Sequence, residues 1–422
     1  MISIERIRNN FEKIKIGLLS KGCADDLSEI LSIDKDYREG LSSVNNLRAE
    51  KNKVSDEIAE LKKTKKNADH KIVSMRAVGE KIKEIEFNIA EKKEKLDELI
   101  LNLPNVPHES VNHGPDETKN KTISEWGVEN AKDFALKTHL DIGSNLKLFD
   151  FERSAKLSGS GFPLYTGKGA LLERSLINFM IEFHTQRNGY FEIIPPFLVN
   201  SNSVLTTGNL PKFSEDMYHS EVDDLWLIPT AEVPLTNIHC NEILKESDLP
   251  KKYAAYSPCF RREAGSYGKD TKGLQRLHQF NKVELVQFVK PEKSYEALES
   301  LTSHAEMILQ TLNLKYRKIE LCTGDLSFSA AKCYDLEIWA PAQEKWLEVS
   351  SCSNFEDFQA RRGNIRYRKE SDSKVEFIHT LNGSGLATPR LLIAILETYQ
   401  NIDGTVTVPE PLQDYTRLKI ID

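Results

Sequence analysis

The stretch FRREAGSYGKDTKGLQRLHQFNKVE, residues Phe260–Glu284, decides how the rest of the chain is read. Its middle, GSYGKDTKG, is glycine-rich and carries a lysine, which invites a phosphate cradle. A P-loop needs G-x-x-x-x-G-K-[ST] running directly into a helix. Here two residues separate Gly265 from Gly268, and Lys269 is followed by Asp270, so the hydroxyl that would hold Mg²⁺ is missing. HQFNKVELVQFV on the far side has the β-branched and aromatic content of a strand, and YAAYSPCFRRE on the near side can form one too. The spacing therefore predicts strand, long loop, strand.

The chemistry of that hairpin sits at its two ends. Arg261 and Glu263 are two apart, so in a strand their side chains leave one face. An Arg there can grip a phosphate or carboxylate with its planar fork. A Glu beside it can accept from an exocyclic amine such as adenine N6. Phe280 and Glu284 share a face of the returning strand, where Phe280 offers a stacking platform. The glycines with Lys269 and Lys272 make a basic tip suited to closing over a polyanion. Each feature alone has an ordinary explanation, a surface ion pair or a core aromatic; their combination on one hairpin points to a nucleotide.

Toward the N-terminus the chain changes character. Pro is absent before Pro104. Met75, Val78, Ile82, Ile85, Ile89, Leu96 and Leu99 form a heptad seam interrupted at Lys92, and Val44, Leu47, Val54, Ile58 and Leu61 form another. Between them lies the polar turn KKTKKNADH, Lys62–His70. Two seamed helices joined by a short turn predict an antiparallel hairpin, each helix roughly 45 Å long for about 30 residues. Residues 48–83 hold 11 Lys/Arg against 6 Asp/Glu, a net of +5 on a chain of net −7. A basic finger on an acidic protein is a footprint for a polyanion. Charge alone equally describes an ordinary solvated coiled coil.

LNLPNVPHESV (Leu101–Val111) breaks the helical pattern with two prolines. The expected division is a helical arm at 1–103, a linker at 104–111 and a second domain at 112–422, in keeping with a length of 422 residues. The later region mixes short β-rich runs (LWLIPT, KVELVQFV, DLEIWA, KWLEVSS) with helical ones (LLERSLINFMIEFHTQR, LLIAILETYQ). That predicts an α+β fold with an antiparallel sheet flanked by helices. Nothing resembles a βαβ dinucleotide fold.

A hydrophobic content of 39% supports a core, and no apolar run is long enough to span a bilayer. MISIERIRNNFEKIK lacks the apolar core of a signal peptide, so a cytoplasmic location is expected. Six cysteines without a CxxC pair suggest free thiols rather than zinc or redox chemistry.

The opening stretch resembles motif 2 of the class II aminoacyl-tRNA synthetases, in the form found in seryl-tRNA synthetases. GYFEIIPPFLVN (Gly189–Asn200) resembles motif 1, ending in its proline, Pro196. IPTAEVPLTN (Ile228–Asn237) resembles the TxE loop. LEVSSCSNFEDFQARR (Leu347–Arg362) resembles the strand and turn before motif 3, and TLNGSGLATPRLLIAILETYQ (Thr380–Gln400) resembles motif 3. FDFERSAKLSGSGFPLYTGKGALLERSLINFM (Phe149–Met180) is similar to the family's entry into the catalytic domain, and the hairpin to its tRNA-binding arm. The resemblance covers nearly the whole chain, in order.

It implies adenylation of L-serine by ATP, with release of pyrophosphate, then transfer to the 3′ end of serine tRNA; selenocysteine tRNA is a further candidate acceptor. It places Arg261 between the serine carboxylate and the α-phosphate, Glu263 on adenine, Phe280 stacked on it, Arg276 on the γ-phosphate and Arg390 on the other adenine face or a phosphate. Arg262, Leu277, Val349 and Ser350 join these ATP-binding positions. Glu348 and Ser351 are the positions for Mg²⁺ as well as ATP. Arg261, Glu348 and Arg390 are the catalytic set. Thr230, Ala231, Glu232, Arg261, Glu284, Asn382 and Ser384 form the serine set. Adenylation needs no protein base, because the substrate carboxylate is already ionised; His278 and His379 are therefore expected to be structural. Many relatives carry Val-Gly where this chain has Thr388-Pro389, and Pro389 suits the first turn of a helix. A homodimer through motif 1 is implied. The alternative is an adenylating ligase that loads an amino acid on a carrier protein, which would not need the arm; a catalytically dead RNA-binding homologue would be expected to lose Arg261, Glu263, Glu348 or Arg390.

Overall fold

The computed structural model describes residues 1–129, 132–264 and 273–422. Lys269 and Lys272 of the hairpin tip lie outside the described residues. The chain divides into two units, residues 1–19 with 23–104, and residues 20–22 with 105–422.

In the first unit the two seams become helices α1 (Leu27–Lys63) and α2 (Asp69–Leu101). Asp26 caps α1 by accepting from the Ser28 amide at 2.8 Å. Ion pairs Lys95–Glu29, Lys92–Asp36 and Arg48–Glu86, at 2.6, 2.6 and 2.5 Å, link low numbers in α1 to high ones in α2, so the helices run antiparallel. Lys92, the break in the heptad, faces α1 through its pair with Asp36. Such exposed pairs contribute only about 0–1 kcal/mol each; the seam does more. Val44, Ile82 and Leu96 are buried, while Val54, Ile58, Met75, Val78, Ile85 and Ile89 are half-buried. Gly40 lets the helices close up, because a Cβ there would stand 2.8 Å from Ile89 Cγ1.

The second unit is built on an eight-stranded sheet. Its strands are β1 (Lys121–Trp126), β2 (Phe191–Glu192), β3 (Lys251–Phe260), β4 (Gln279–Val289), β5 (Tyr316–Glu320), β6 (Lys332–Ala340), β7 (Lys345–Asn354) and β8 (His379–Ala387). Their order is β1-β5-β6-β7-β8-β4-β3-β2, antiparallel except for the β2–β3 pair. Helices α3 (Gly167–Arg187), α4 (Ser294–Thr311) and α5 (Thr388–Thr398) bury Leu176, Met180, Leu301, Ile308, Leu392 and Leu396 in one core with Leu285, Leu336 and Leu381 of the sheet. No helix is long and apolar enough to cross a membrane among the described residues.

Residues 105–111 pack onto this unit. Asn105 donates its side-chain amide to the Ser329 and Phe355 carbonyls at 3.0 and 2.8 Å, and Val106 and Val111 are buried.

Both strands expected in the opening stretch form, with β3 and β4 in register from Lys251↔Phe288 to Phe260↔Gln279. Strand alternation does not account for Arg261 and Glu263. The strand ends at Phe260, and Glu263 takes a left-handed backbone, φ 52°. The two side chains meet the same cavity because the chain turns there, not because a strand alternates.

Candidate active site

The β3–β4 hairpin, β7, β8 and the start of α5 surround a cavity of about 830 Å³. Of the expected residues, Thr230, Glu232, Arg261, Glu263, Arg276, Leu277, Phe280, Glu348, Val349, Ser351, Asn382, Ser384 and Arg390 line it. Arg262, Ala231, Ser350 and Glu284 do not. Arg262 donates its amide to the Asp216 carbonyl at 2.9 Å, and its side chain is exposed. Ala231 lies in the core beneath. The Ser350 hydroxyl turns inward and donates to the Ser384 carbonyl at 2.7 Å. Glu284 is fully buried one layer down, and acts on the cavity through its partners.

At the hairpin end of the cavity, Arg261 lies with its guanidinium 5.1 Å from the Phe280 ring centroid, and its Nε donates to the Pro229 carbonyl at 3.4 Å. This cation–π contact and the carbonyl together orient the fork. His278 closes the hairpin base. The Arg261 amide donates to its carbonyl at 2.9 Å, and its Nδ1 lies 3.0 Å from the Arg261 carbonyl. His379 Nδ1 lies 2.9 Å from Ser294 Oγ. Arg276 Nη1 donates to Glu263 Oε2 at 2.5 Å, so the two residues expected at opposite ends of the nucleotide pair with each other. Arg390 donates from Nη1 to the Glu348 carbonyl at 2.8 Å and from Nε to the Gln275 carbonyl at 3.1 Å.

Pro389 does occupy the first turn of α5. Thr388 Oγ1 donates to Glu173 Oε1 of α3 at 2.5 Å, and Asn281 Nδ2 donates to the same oxygen at 2.7 Å. Burial pushes the Glu173 carboxyl up to about 7 against these hydrogen bonds. The Thr-Pro departure thus ties the helix carrying Arg390 to α3 and β4.

At the other end two carboxylates sit close together. Glu232 accepts from Gln359 Nε2 at 2.7 Å and from Asn382 Nδ2 at 2.8 Å. The same Asn382 nitrogen donates to Glu284 Oε1 at 3.0 Å, and Thr230 Oγ1 donates to Glu284 Oε2 at 2.9 Å. Burial, then the neighbouring Glu284, pushes the Glu232 carboxyl up to about 7. Asn382 Oδ1 is buried with no hydrogen-bond partner among the described residues. An acidic, half-buried nest with an orphaned acceptor suits a small cation that also carries a donor.

The sequence reading missed two members of this nest. Lys282 lies on β4 between Phe280 and Glu284 and pairs with Glu284; the two-residue period that grouped its neighbours would have found it. Gln359 is fully buried, accepting from Thr380 Oγ1 at 2.8 Å while it holds Glu232. Nothing local marks it, since its partners come from distant segments.

For Mg²⁺, Glu348 and Ser351 offer hard oxygens on the cavity wall. Asp335, the register partner of Ser351, is half-buried, and desolvation with Glu348 nearby holds its carboxyl well above the ordinary range. Its hydrogen bond with Ser351 works in the opposite direction. Among the described residues no three His, Cys, Asp or Glu side chains converge. This donor set fits Mg²⁺ carried mainly on phosphates.

The family description "tRNA synthetase class II core domain (G, H, P, S and T)" matches residues 213–399, and "Seryl-tRNA synthetase N-terminal domain" matches residues 1–107. The serine–tRNA ligase of Listeria welshimeri is 53% identical over 98% of this chain and 97% of its own length. That of Syntrophobacter fumaroxidans is 52% identical over 98% of both chains. The solved seryl-tRNA synthetase of Pyrococcus horikoshii, complexed with ATP, superposes with a TM-score of 0.94 at 40% identity, covering 100% of this chain and 99% of that one. The cytoplasmic serine–tRNA ligase of Naegleria fowleri, in complex with AMP, gives 0.87 at 28% identity over 98% of this chain and 96% of that one.

Proposed function

Because the chain belongs to the seryl-tRNA synthetase family of class II aminoacyl-tRNA synthetases, we propose that its cavity joins L-serine to ATP and passes the seryl group to serine tRNA. The observation that carries this reading is the pairing, in one cavity, of a nucleotide end (Arg261, Phe280, Arg390) with Glu232 and Asn382, backed from beneath by the buried Glu284. The Pyrococcus relative crystallised with ATP supports ATP as the substrate.

The serine ammonium enters beside Glu232 and Thr230. Its hydroxyl meets Asn382 Oδ1, Ser384 and, through the nest, Glu284. The carboxylate is directed at the α-phosphate under Arg261, whose fork neutralises both anions as they approach. The protein supplies position and charge, and no nucleophile is needed. Adenine stacks on Phe280. Nucleotide binding separates Arg276 from Glu263, sending one to the phosphates and the other to adenine. Glu348 and Ser351 would hold Mg²⁺, which would supply positive charge against the phosphates when bound. A site that pairs its polar groups with the substrate hydroxyl rejects alanine, because those groups would be left unpaired. Threonine is rejected for lack of room for one methyl.

The helical hairpin is the tRNA-binding element, and it disfavours the carrier-protein alternative. Selenocysteine tRNA is read through the same element. Replacing Lys62, Lys63, Lys65 and Lys66 by Ala is expected to lower tRNA charging about tenfold or more and to flatten its log–log salt dependence by about 1 per lysine that meets a phosphate. Serine-dependent pyrophosphate exchange should stay unchanged; loss of both activities together contradicts this division of labour.

The motif 1 segment supports a homodimer, since Phe191, Ile194 and Leu198 expose 68%, 81% and 48% of their surface. Ile194→Glu should shift the mass in light scattering from two chains toward one. A wild-type protein that runs as a monomer at micromolar concentration would refute the dimer.

A further inference from the structure

Lys282 stands on β4 with its side chain 7% exposed, and its Nζ pairs with Glu284 Oε2. It also lines the cavity. A buried ammonium is costly unless paired, and replacing a purely structural buried pair by apolar residues is often neutral. The neighbours of this pair are not structural bystanders. The oxygen that takes Lys282 also takes the Thr230 hydroxyl, and the other oxygen of Glu284 shares the Asn382 nitrogen with Glu232. Two carboxylates therefore face one amide donor, and the cations beside them are Lys282 and Arg261. Arg261 is committed to the carboxylate and the α-phosphate. Lys282 is left as the counter-charge to Glu284 when the cation the nest binds is the substrate itself.

We infer that Lys282 is a positioning and specificity residue of the serine pocket: by neutralising Glu284 it keeps Glu232 available for the substrate ammonium and keeps Glu284 an acceptor at the hydroxyl end. The inference rests on the serine reading above. The charges facing Glu232 are Glu284 and Lys282 from β4 and Arg261 from the end of β3, with the neutral amides of Gln359 and Asn382 completing its surroundings. Lys282 holds the Glu232 carboxyl down against burial and Glu284. Its removal therefore moves Glu232 further up.

The test uses serine-dependent ATP–pyrophosphate exchange by the full-length enzyme between pH 5.5 and 9. Lys282→Met is expected to raise KM for serine about 100-fold, the scale of truncating one partner of a buried charge pair, with KM for ATP within about twofold of wild type. The acid limb of kcat/KM for serine should move to higher pH, and preference for serine over alanine should shrink. Lys282→Met/Glu284→Gln removes both charges. It should fold even where the single variant does not, return the acid limb toward its wild-type position, and still bind serine weakly. Serine KM unchanged in either variant, with only the melting temperature lowered, would overturn the inference by making the pair structural. An acid limb equally displaced in single and double variants would overturn the charge-balance account. A wild-type enzyme with no serine-dependent exchange would instead sink the functional reading beneath it.

Discussion

Arg261→Met is expected to reduce serine-dependent pyrophosphate exchange by about 10²–10³-fold in kcat, the usual cost of removing one preorganised group aimed at developing charge. The reason is its place in the fold. Arg261 follows the last residue of β3, its backbone is pinned to His278, and its guanidinium rests over Phe280. The fork is thus held before either anion arrives. Arg261→Lys keeps the charge and loses the planar fork, so it should recover only a small part of the rate. On the proposed role, in which the group stabilises the transition state more than bound ATP, kcat should fall more than KM for ATP rises. A variant with near-normal kcat and a large rise in KM for ATP would show Arg261 to be only a phosphate clamp.

Glu232 carries the second large effect. With its carboxyl at about 7, the form that can pair with an ammonium is the ionised one. As pH falls through about 7 that form is lost, so kcat/KM for serine should fall about tenfold per unit below it. Bound serine brings a positive charge beside the carboxylate and favours its ionised form, so binding releases a proton at neutral pH. Calorimetry in buffers of different ionisation enthalpy should detect that release. Glu232→Gln should lower kcat/KM for serine by about 10²–10³-fold, as for a truncated partner of a buried charge pair, and abolish the acid limb. An acid limb that persists in Glu232→Gln assigns the titration to another group.

Much of this site was legible because its chemistry is local. Phe280 and Glu284 fall on one face of β4 as the two-residue period requires, and the seams of the arm follow heptad spacing. Arg261 and Glu263 were rightly grouped for a wrong reason, since a left-handed Glu263 cannot be read from an ordinary Glu. Ser350 belongs to EVSS with its neighbours, but it alternates with Ser351 and its hydroxyl turns to the core, while a register shift beside Val349 brings Glu348 round to the cavity side. Gln359 and Glu173 escaped because their partners, Glu232 and Thr380 for one and Thr388 and Asn281 for the other, come from distant segments. Only the folded sheet brings those together. Thr388-Pro389 looked like a departure from a pattern; in the fold the proline starts α5 and the threonine anchors it.

The cavity is expected to make an adenylate of serine before any tRNA is involved. Exchange of labelled pyrophosphate into ATP, with tRNA absent and each amino acid supplied in turn, tests it most directly. Label should enter ATP with L-serine and fall to background with alanine and threonine. No exchange with serine, or equal exchange with alanine, would rule out serine-specific adenylation by this cavity.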